Sequence, residues 1–406
     1  MNYFIANKNL FYPAVVFSLS WTVILALHLF FGLTVLHELY PLGLETFVTL
    51  WVGDLCFSLA CFVITSTYRK NKKTRHNIKC EPNTTPNRTL RLIFMAILVI
   101  GLPFYIQAVY KIFIASQIDN FFVGIRTELS YGDEDIGITK YLVTLSFVVF
   151  ATNYYSYLKD SNSFNKTVVL SSLILTIAYS IFATGRTFFF LILCVYMGIS
   201  YLMMKKFSIR KYLLPMIFFV LIFVSIGIIY GKGGNVGNTL KENIHSAAET
   251  TSIYLVSSLT AFDIETKKHV RASYGGENTL LFFVKIGQKL NLVPENIKQG
   301  TLLSDFVFVP YPTNVFTFYS PYVRDYGRIY AFFMIALFGA LHTWLFHKAI
   351  ETRNLRYAIY YSFLLYPVLM SFFQDQYMSL FSTWLQIILA TEIFLLINRM
   401  LFKPKT

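Results

Sequence analysis

Lys166 and Lys205 bracket the stretch TVVLSSLILTIAYSIFATGRTFFFLILCVYMGISYLMM, residues 167–204, and its reading decides the fold. Two apolar arms of 17 residues flank the polar tetrad Thr184-Gly185-Arg186-Thr187. As helices, the arms each span about 25 Å, close to the roughly 30 Å hydrocarbon core of a bilayer. The stretch therefore predicts a membrane hairpin. Its turn sits at or just below one interface, with Gly185 expected to supply the tight bend. A guanidinium at that depth needs an anionic partner. Arg186 either faces an arriving anion or snorkels to lipid head groups.

Working outward, apolar runs of spanning length recur near 10–31, 43–66, 92–115, 141–158, 167–183, 188–204, 212–230, 329–347, 357–373 and 377–398. The chain has 406 residues, 55% apolar and only 14% charged, where a soluble domain has about a quarter charged. That deficit excludes disorder and an ordinary soluble enzyme. The expected fold is an all-α polytopic membrane bundle of about ten helices. The first run is too long for a signal-peptide core and no small-residue cleavage site follows, so it is expected as a retained span.

The net charge of +14 would suggest nucleic acid in a soluble protein. Here its placement explains it. With both termini cytoplasmic, the inner segments hold 21 of the 35 Lys and Arg residues. The short outer loops hold Arg126 and Arg186, with Lys111 and Lys140 at helix ends. That is the positive-inside asymmetry, so the basic excess orients the chain and implies no nucleic-acid partner. The domain reading is then seven helices in 1–230, one large outer loop in 231–328, and three helices with a cytoplasmic tail in 329–406.

The outer loop is nearly neutral and carries two amphipathic stretches. Ile253, Val256, Leu259 and Phe262 recur every three residues, and Leu281, Phe282, Ile286 and Leu290 share a face. Helices lying in the interface or packed over the bundle suit both. Gly231-Lys232-Gly233-Gly234-Asn235-Val236-Gly237 lacks the Lys-Ser/Thr ending of a phosphate loop and is expected as a flexible exit from a span.

Candidate chemistry concentrates at the outer face. From Phe306 to Tyr326 there are eight aromatics in 21 residues, just before the eighth span. The stretch interleaves Asn314, Tyr319, Tyr322, Arg324 and Asp325, and Arg328 follows. Such rings either form an interfacial belt or, beside hydrogen-bonding side chains, suit sugar; arginine forks suit phosphate. Arg126 either binds phosphate or neutralises Glu128. Asp375, in the outer turn Gln374-Asp375-Gln376-Tyr377, either caps a helix, pairs with an outer arginine or takes a proton. Asp54 and Glu392 lie within apolar runs and are either functional or structurally paired. The four cysteines show neither metal-ligand spacing nor a disulfide framework, and no other metal motif is evident. The acid run Asp133-Glu134-Asp135 could hold a divalent ion.

Three motifs together resemble the O-antigen polymerase (Wzy-type) family of oligosaccharide repeat-unit polymerases. They are Ala183-Thr184-Gly185-Arg186, Tyr254-Leu255-Val256-Ser257-Ser258-Leu259-Thr260-Ala261-Phe262-Asp263, and Thr313-Asn314-Val315-Phe316-Thr317-Phe318-Tyr319 with Pro321-Tyr322 and Asp325-Tyr326-Gly327. Phe316 stands where the family often has Tyr. The resemblance implies a GT-C-like bundle in the bacterial inner membrane with its active face in the periplasm. It implies transfer of a growing glycan from undecaprenyl pyrophosphate to a sugar hydroxyl of the next lipid-linked repeat unit, in lipopolysaccharide biosynthesis. It also implies no cofactor and a chain-length regulator as partner. On this basis Arg186 and Arg324 are expected at the pyrophosphate, with Arg126 or Arg328 assisting. Asp325 is expected as the base, ahead of Asp263, Asp375 and His245, and Asn314 and Tyr319 would orient sugar. An O-antigen ligase shares the donor chemistry, a lipid-linked oligosaccharide flippase shares the substrate, and a membrane scaffold would explain the spans alone.

Overall fold

The computed structural model describes residues 10–34, 36, 41–74, 86–131, 136–203, 214, 217, 240–297, 306–309 and 312–401. Its helices are α1 (Pro13–Thr34), α2 (Leu44–Thr74), α3 (Arg88–Ser116), α4 (Phe121–Tyr131), α5 (Lys140–Lys159), α6 (Ser163–Phe182) and α7 (Arg186–Met203). They continue with α8 (Leu240–Lys268), α9 (Leu281–Lys289), α10 (Tyr319–Tyr326), α11 (Arg328–Thr352), α12 (Leu355–Leu369) and α13 (Phe381–Leu401). A minimal antiparallel hairpin pairs β1 (Val307–Phe308) with β2 (Pro312–Thr313), Val307 opposite Thr313.

Each apolar run expected to span is a helix, save the run 212–230, which lies almost wholly outside the described residues. Gly231–Gly237, Asp133–Asp135 and Cys80 also lie outside them. Six of the helices are long and apolar enough to cross a membrane: α1, α2 over 44–70, α3, α6, α11 and α13. The protein is therefore an α-helical, polytopic membrane protein. The chain divides into two compact units.

One unit comprises Lys79–Asn238, Ala349–Phe363 and Thr383–Thr406. Its centre is α5, buried at nearly every position from Val143 to Ser156 and packed among α3, α6 and α7. A helix enclosed on all sides needs no amphipathic stripe. Hydrogen bonds tie the helices of this unit together: the Thr176 hydroxyl donates to the Ser146 carbonyl at 3.0 Å, and Tyr179 donates to the Leu98 carbonyl at 2.8 Å. Asn87 and Asn162 cap α3 and α6 through their side-chain oxygens, as short polar side chains do for first-turn N–H groups. Glu392, in an apolar run, pairs with Arg356 and accepts from Tyr360 at 2.6 Å.

The turn between α6 and α7 differs from expectation in one detail. The left-handed residue is Thr184, at φ 55°, and the backbone at Gly185 does not take a positive φ. Glycine is needed at 185 for space: a Cβ there would lie 2.7 Å from the Phe188 ring.

The other unit comprises Met1–Ile78, Thr239–Lys348 and Leu364–Ser382. Here α8 packs against α1 and α2. Val256, Leu259 and Phe262 are buried, so the first amphipathic stretch lies against the bundle. The second leaves Phe283, Ile286 and Leu290 exposed while Phe282 meets Phe381. Phe318 sits at the core, ringed by Phe17, Tyr322, Phe338 and Tyr377. Asp54 accepts from Ser18 at 2.7 Å, the structural pairing an acid in an apolar helix requires.

Candidate functional site

The site grows from α10, which the Asn314–Gly327 motif builds. The Phe318 N–H donates to the Ser371 carbonyl at 2.9 Å, fixing the entry. Gly327, at φ 80°, ends the helix, and α11 starts at the next residue. A Cβ at Gly327 would lie 3.0 Å from Nη1 of Arg271, which donates to the Val323 carbonyl at 2.9 Å. Only glycine satisfies both the backbone angle and that approach. Arg271 thereby caps the C-terminal carbonyls of α10, where a cation is favoured.

A cavity of about 260 Å³ opens between the ends of α8, α10 and α2. Arg271, Arg324, Arg328 and His269 line it with Glu45 and Glu265. Arg324 pairs with Glu265, which also accepts from the Ser320 hydroxyl at 2.6 Å. Arg324 also lies over the Phe316 ring at 5.0 Å, a cation–π placement. Burial lowers the Arg324 pKa and neighbouring Asp325 opposes that fall. Arg328 pairs with Glu45. The two pairs differ in depth. Side-chain exposure is 18% and 6% for Arg324 and Glu265, but 35% and 41% for Arg328 and Glu45.

On the other side of Arg324 and Ser320 is a smaller cavity of about 50 Å³, lined among others by Asn278, Asn314, Phe316, Gln374 and Asp375. That is room for roughly one or two waters. Asp375 is buried and accepts from the Tyr322 hydroxyl at 3.1 Å and from the N–H groups of Tyr377, Met378 and Ser379 at 3.0, 3.1 and 3.0 Å. Burial raises its pKa to about 6, against the lowering effect of those donors. Burial likewise pushes the Tyr322 phenol well above its ordinary value.

The expected residues separate by these contacts. Arg324 and Arg328 share the larger cavity; Arg324, Asn314 and Asp375 share the smaller one. Asp325 turns away from both. Its oxygens accept from the Asn278 N–H at 3.1 Å, the Asn278 side chain at 2.7 Å, the Thr279 N–H at 2.9 Å and the Thr279 hydroxyl at 2.7 Å. Asp263 accepts from the Gly43 N–H at 2.8 Å and pairs with Lys267 at 2.6 Å, holding the entry to α2. Burial would raise its pKa, but bonds from Lys267, Thr46 and Gly43 outweigh burial and hold it below the usual range. Tyr319 is fully buried against Trp21 and donates to the Leu50 carbonyl at 3.2 Å. His245 lies in the first turns of α8, whose side chains are not among those described. Arg126, half-buried on α4, and Arg186, the first residue of α7, belong to the other unit.

Sequence reasoning missed Glu45, Glu265, His269 and Arg271. Glu265 had a signal: the three-residue repeat of Val256, Leu259 and Phe262 continues onto it, placing an acid on a buried stripe. Among the described residues, no three His, Cys, Asp or Glu side chains cluster as metal ligands.

Fold and site define a polytopic helical membrane protein with an arginine-lined cavity where the aromatic-rich segment meets the ends of α8 and α2. No family model and no solved structure matches the chain. It is 24% identical over 400 residues to a protein of Escherichia coli (strain K12) named "Putative O-antigen polymerase", covering 96% of this chain and 92% of that one. It is 27% identical over 206 residues to an O-antigen polymerase of Shigella dysenteriae, half of each chain. The chain is thus similar along nearly its whole length to a protein named as a putative O-antigen polymerase, the family its motifs resemble.

Proposed function

We propose that this protein polymerises lipid-linked O-antigen repeat units, using the Arg271–Arg324–Arg328 cavity to hold the pyrophosphate of the leaving lipid carrier. The observation that carries the reading is the meeting of three guanidiniums at the end of the motif that likens the chain to the polymerases. When the glycosyl bond breaks, its electron pair passes to a pyrophosphate oxygen. Preorganised cationic donors are what that developing charge needs, and they serve without a metal ion. The acceptor sugar hydroxyl approaches from the side of Asn314 and Asp375. Asp375 receives its proton, and Asp325 keeps the 278–279 loop in place beside that cavity. Two lipid-bound substrates held together convert a bimolecular step into a local one.

In this reading the chain crosses the bacterial inner membrane ten times in a GT-C-like bundle, with both termini cytoplasmic. Glu45, the α10–α11 junction and the Asp375 turn come from three segments expected on the outer face. Their convergence supports a periplasmic active face. A chain-length regulator is the expected partner. The test is deletion and complementation with lipopolysaccharide resolved on a gel. Core carrying a single repeat unit in the deletion strain, and a restored ladder on complementation, is the expected result. Bare core with polymer retained on its lipid carrier would make the protein a ligase. Bare core without that polymer would point to a flippase or an earlier step.

A further inference from the structure

The larger cavity holds three arginines but is not a bare anion trap. Its three guanidiniums face two carboxylates, an excess of one positive charge between them. Those carboxylates are held differently. Glu265 is 6% exposed, and its two oxygens are engaged separately, one by Ser320 and one by Arg324. Freeing it would strand a buried charge. Glu45 is 41% exposed and pairs with Arg328 alone among the described residues. It also stands in the first turn of α2, where the helix dipole favours an anion whether or not Arg328 is engaged. One acid is fixed and the other is free to leave.

We propose that Glu45 is an internal competitor for the pyrophosphate: it occupies Arg328 in the empty cavity, gives it up when the lipid pyrophosphate enters, and takes it back when the product leaves. This rests on the cavity being the pyrophosphate site, as read above. Charge balance supports the exchange. A pyrophosphate diester carries about two negative charges. With Glu45 withdrawn, three arginines and Glu265 neutralise it. Cleavage frees a further phosphate oxygen, so the product is more negative than the substrate. Returning Glu45 to Arg328 then offsets the tighter hold that product would otherwise enjoy. Glu265 has the opposite part, as a positioning residue that keeps Arg324 at the wall between the two cavities.

The two acids are therefore assigned opposite signs in one binding experiment. Inorganic pyrophosphate is titrated calorimetrically into the full-length protein in detergent. Glu45→Gln should tighten binding roughly 1.5- to fivefold, the worth of one freed, partly exposed ion pair. Glu265→Gln should weaken it, and Glu265→Asp should serve if the amide variant fails to fold. In an Arg328→Ala background, Glu45→Gln should have no further effect. Unchanged or weaker binding by Glu45→Gln, at wild-type melting temperature, overturns the exchange. So does tightening that survives Arg328→Ala, since the effect would then be general charge. Wild-type binding indifferent to Arg324→Ala would instead reject the cavity as the pyrophosphate site and remove both readings. No binding by wild type or by Glu45→Gln would do the same.

Discussion

Removing Arg324 should damage stability and chemistry by separable routes. Glu265 is 6% exposed and lies in the core side of the cavity, so Arg324→Ala leaves a buried carboxylate with Ser320 as its remaining side-chain donor. Removing one partner of a buried pair costs about 3–5 kcal/mol. At about 2 °C or more per kcal/mol, the melting temperature should fall by at least about 6 °C. The double variant Arg324→Ala/Glu265→Gln removes the stranded charge and should recover most of that loss. It should not recover polymerisation. One donor to a developing oxyanion is worth about 10²–10³ in rate, so both variants should leave core with a single repeat unit. The assays are thermal unfolding by intrinsic fluorescence in detergent and the lipopolysaccharide ladder in a deletion strain. A wild-type melting temperature for Arg324→Ala would show that the pair is not a buried one. A full ladder from the double variant would show that Arg324 acts only through the fold, and the arginine mechanism would be abandoned.

Three further outcomes are expected. Because burial raises the folded-state pKa of Asp375 to about 6, its charged form is disfavoured in the native protein. Its stabilising contribution is complete below the ordinary carboxylate range and is lost as pH rises through about 6. Asp375→Asn should therefore flatten the pH dependence of unfolding between about pH 4 and 7, and it should abolish polymer if this carboxylate takes the acceptor proton; a ladder of normal length would remove it from that role. A Cβ at Gly53 would clash with the phenol end of Tyr319, so Gly53→Ala should destabilise by about 1–3 kcal/mol, read as a lower melting temperature. Arg186→Ala should abolish polymer at unchanged protein level on an immunoblot, and a normal ladder would release Arg186 from the mechanism.

Much of the fold was legible because apolar runs are long-range averages. Nine of the ten spans expected from hydropathy fall on described helices, although α5, α7 and α12 fall outside the six that meet both length and hydropathy for crossing a membrane. α5 shows why: burial on every face let Thr144, Ser146, Thr152 and Asn153 replace apolar residues. The site was legible only where the chemistry lies within one segment. Asn314, Arg324 and Arg328 are close in sequence and line the two cavities. Glu45 stands 283 residues from Arg328, and no local pattern announces that pairing.

Adjacency in sequence was a poor guide to the carboxylates. Asp325 follows Arg324 directly, which made it the natural base by proximity. On a helix, neighbouring residues point about 100° apart and do not share a face. Arg324 accordingly meets Glu265 while Asp325 is taken up by Asn278 and Thr279. Asp375 lies 51 residues away yet lines the same small cavity as Arg324, held there by the hydroxyl of Tyr322, two residues before Arg324 on α10. The partner of a buried charge is chosen by helical geometry and by the cost of leaving it alone. The place to look for it in a sequence is the residue that breaks an apolar stripe, as Glu265 does three residues after Phe262.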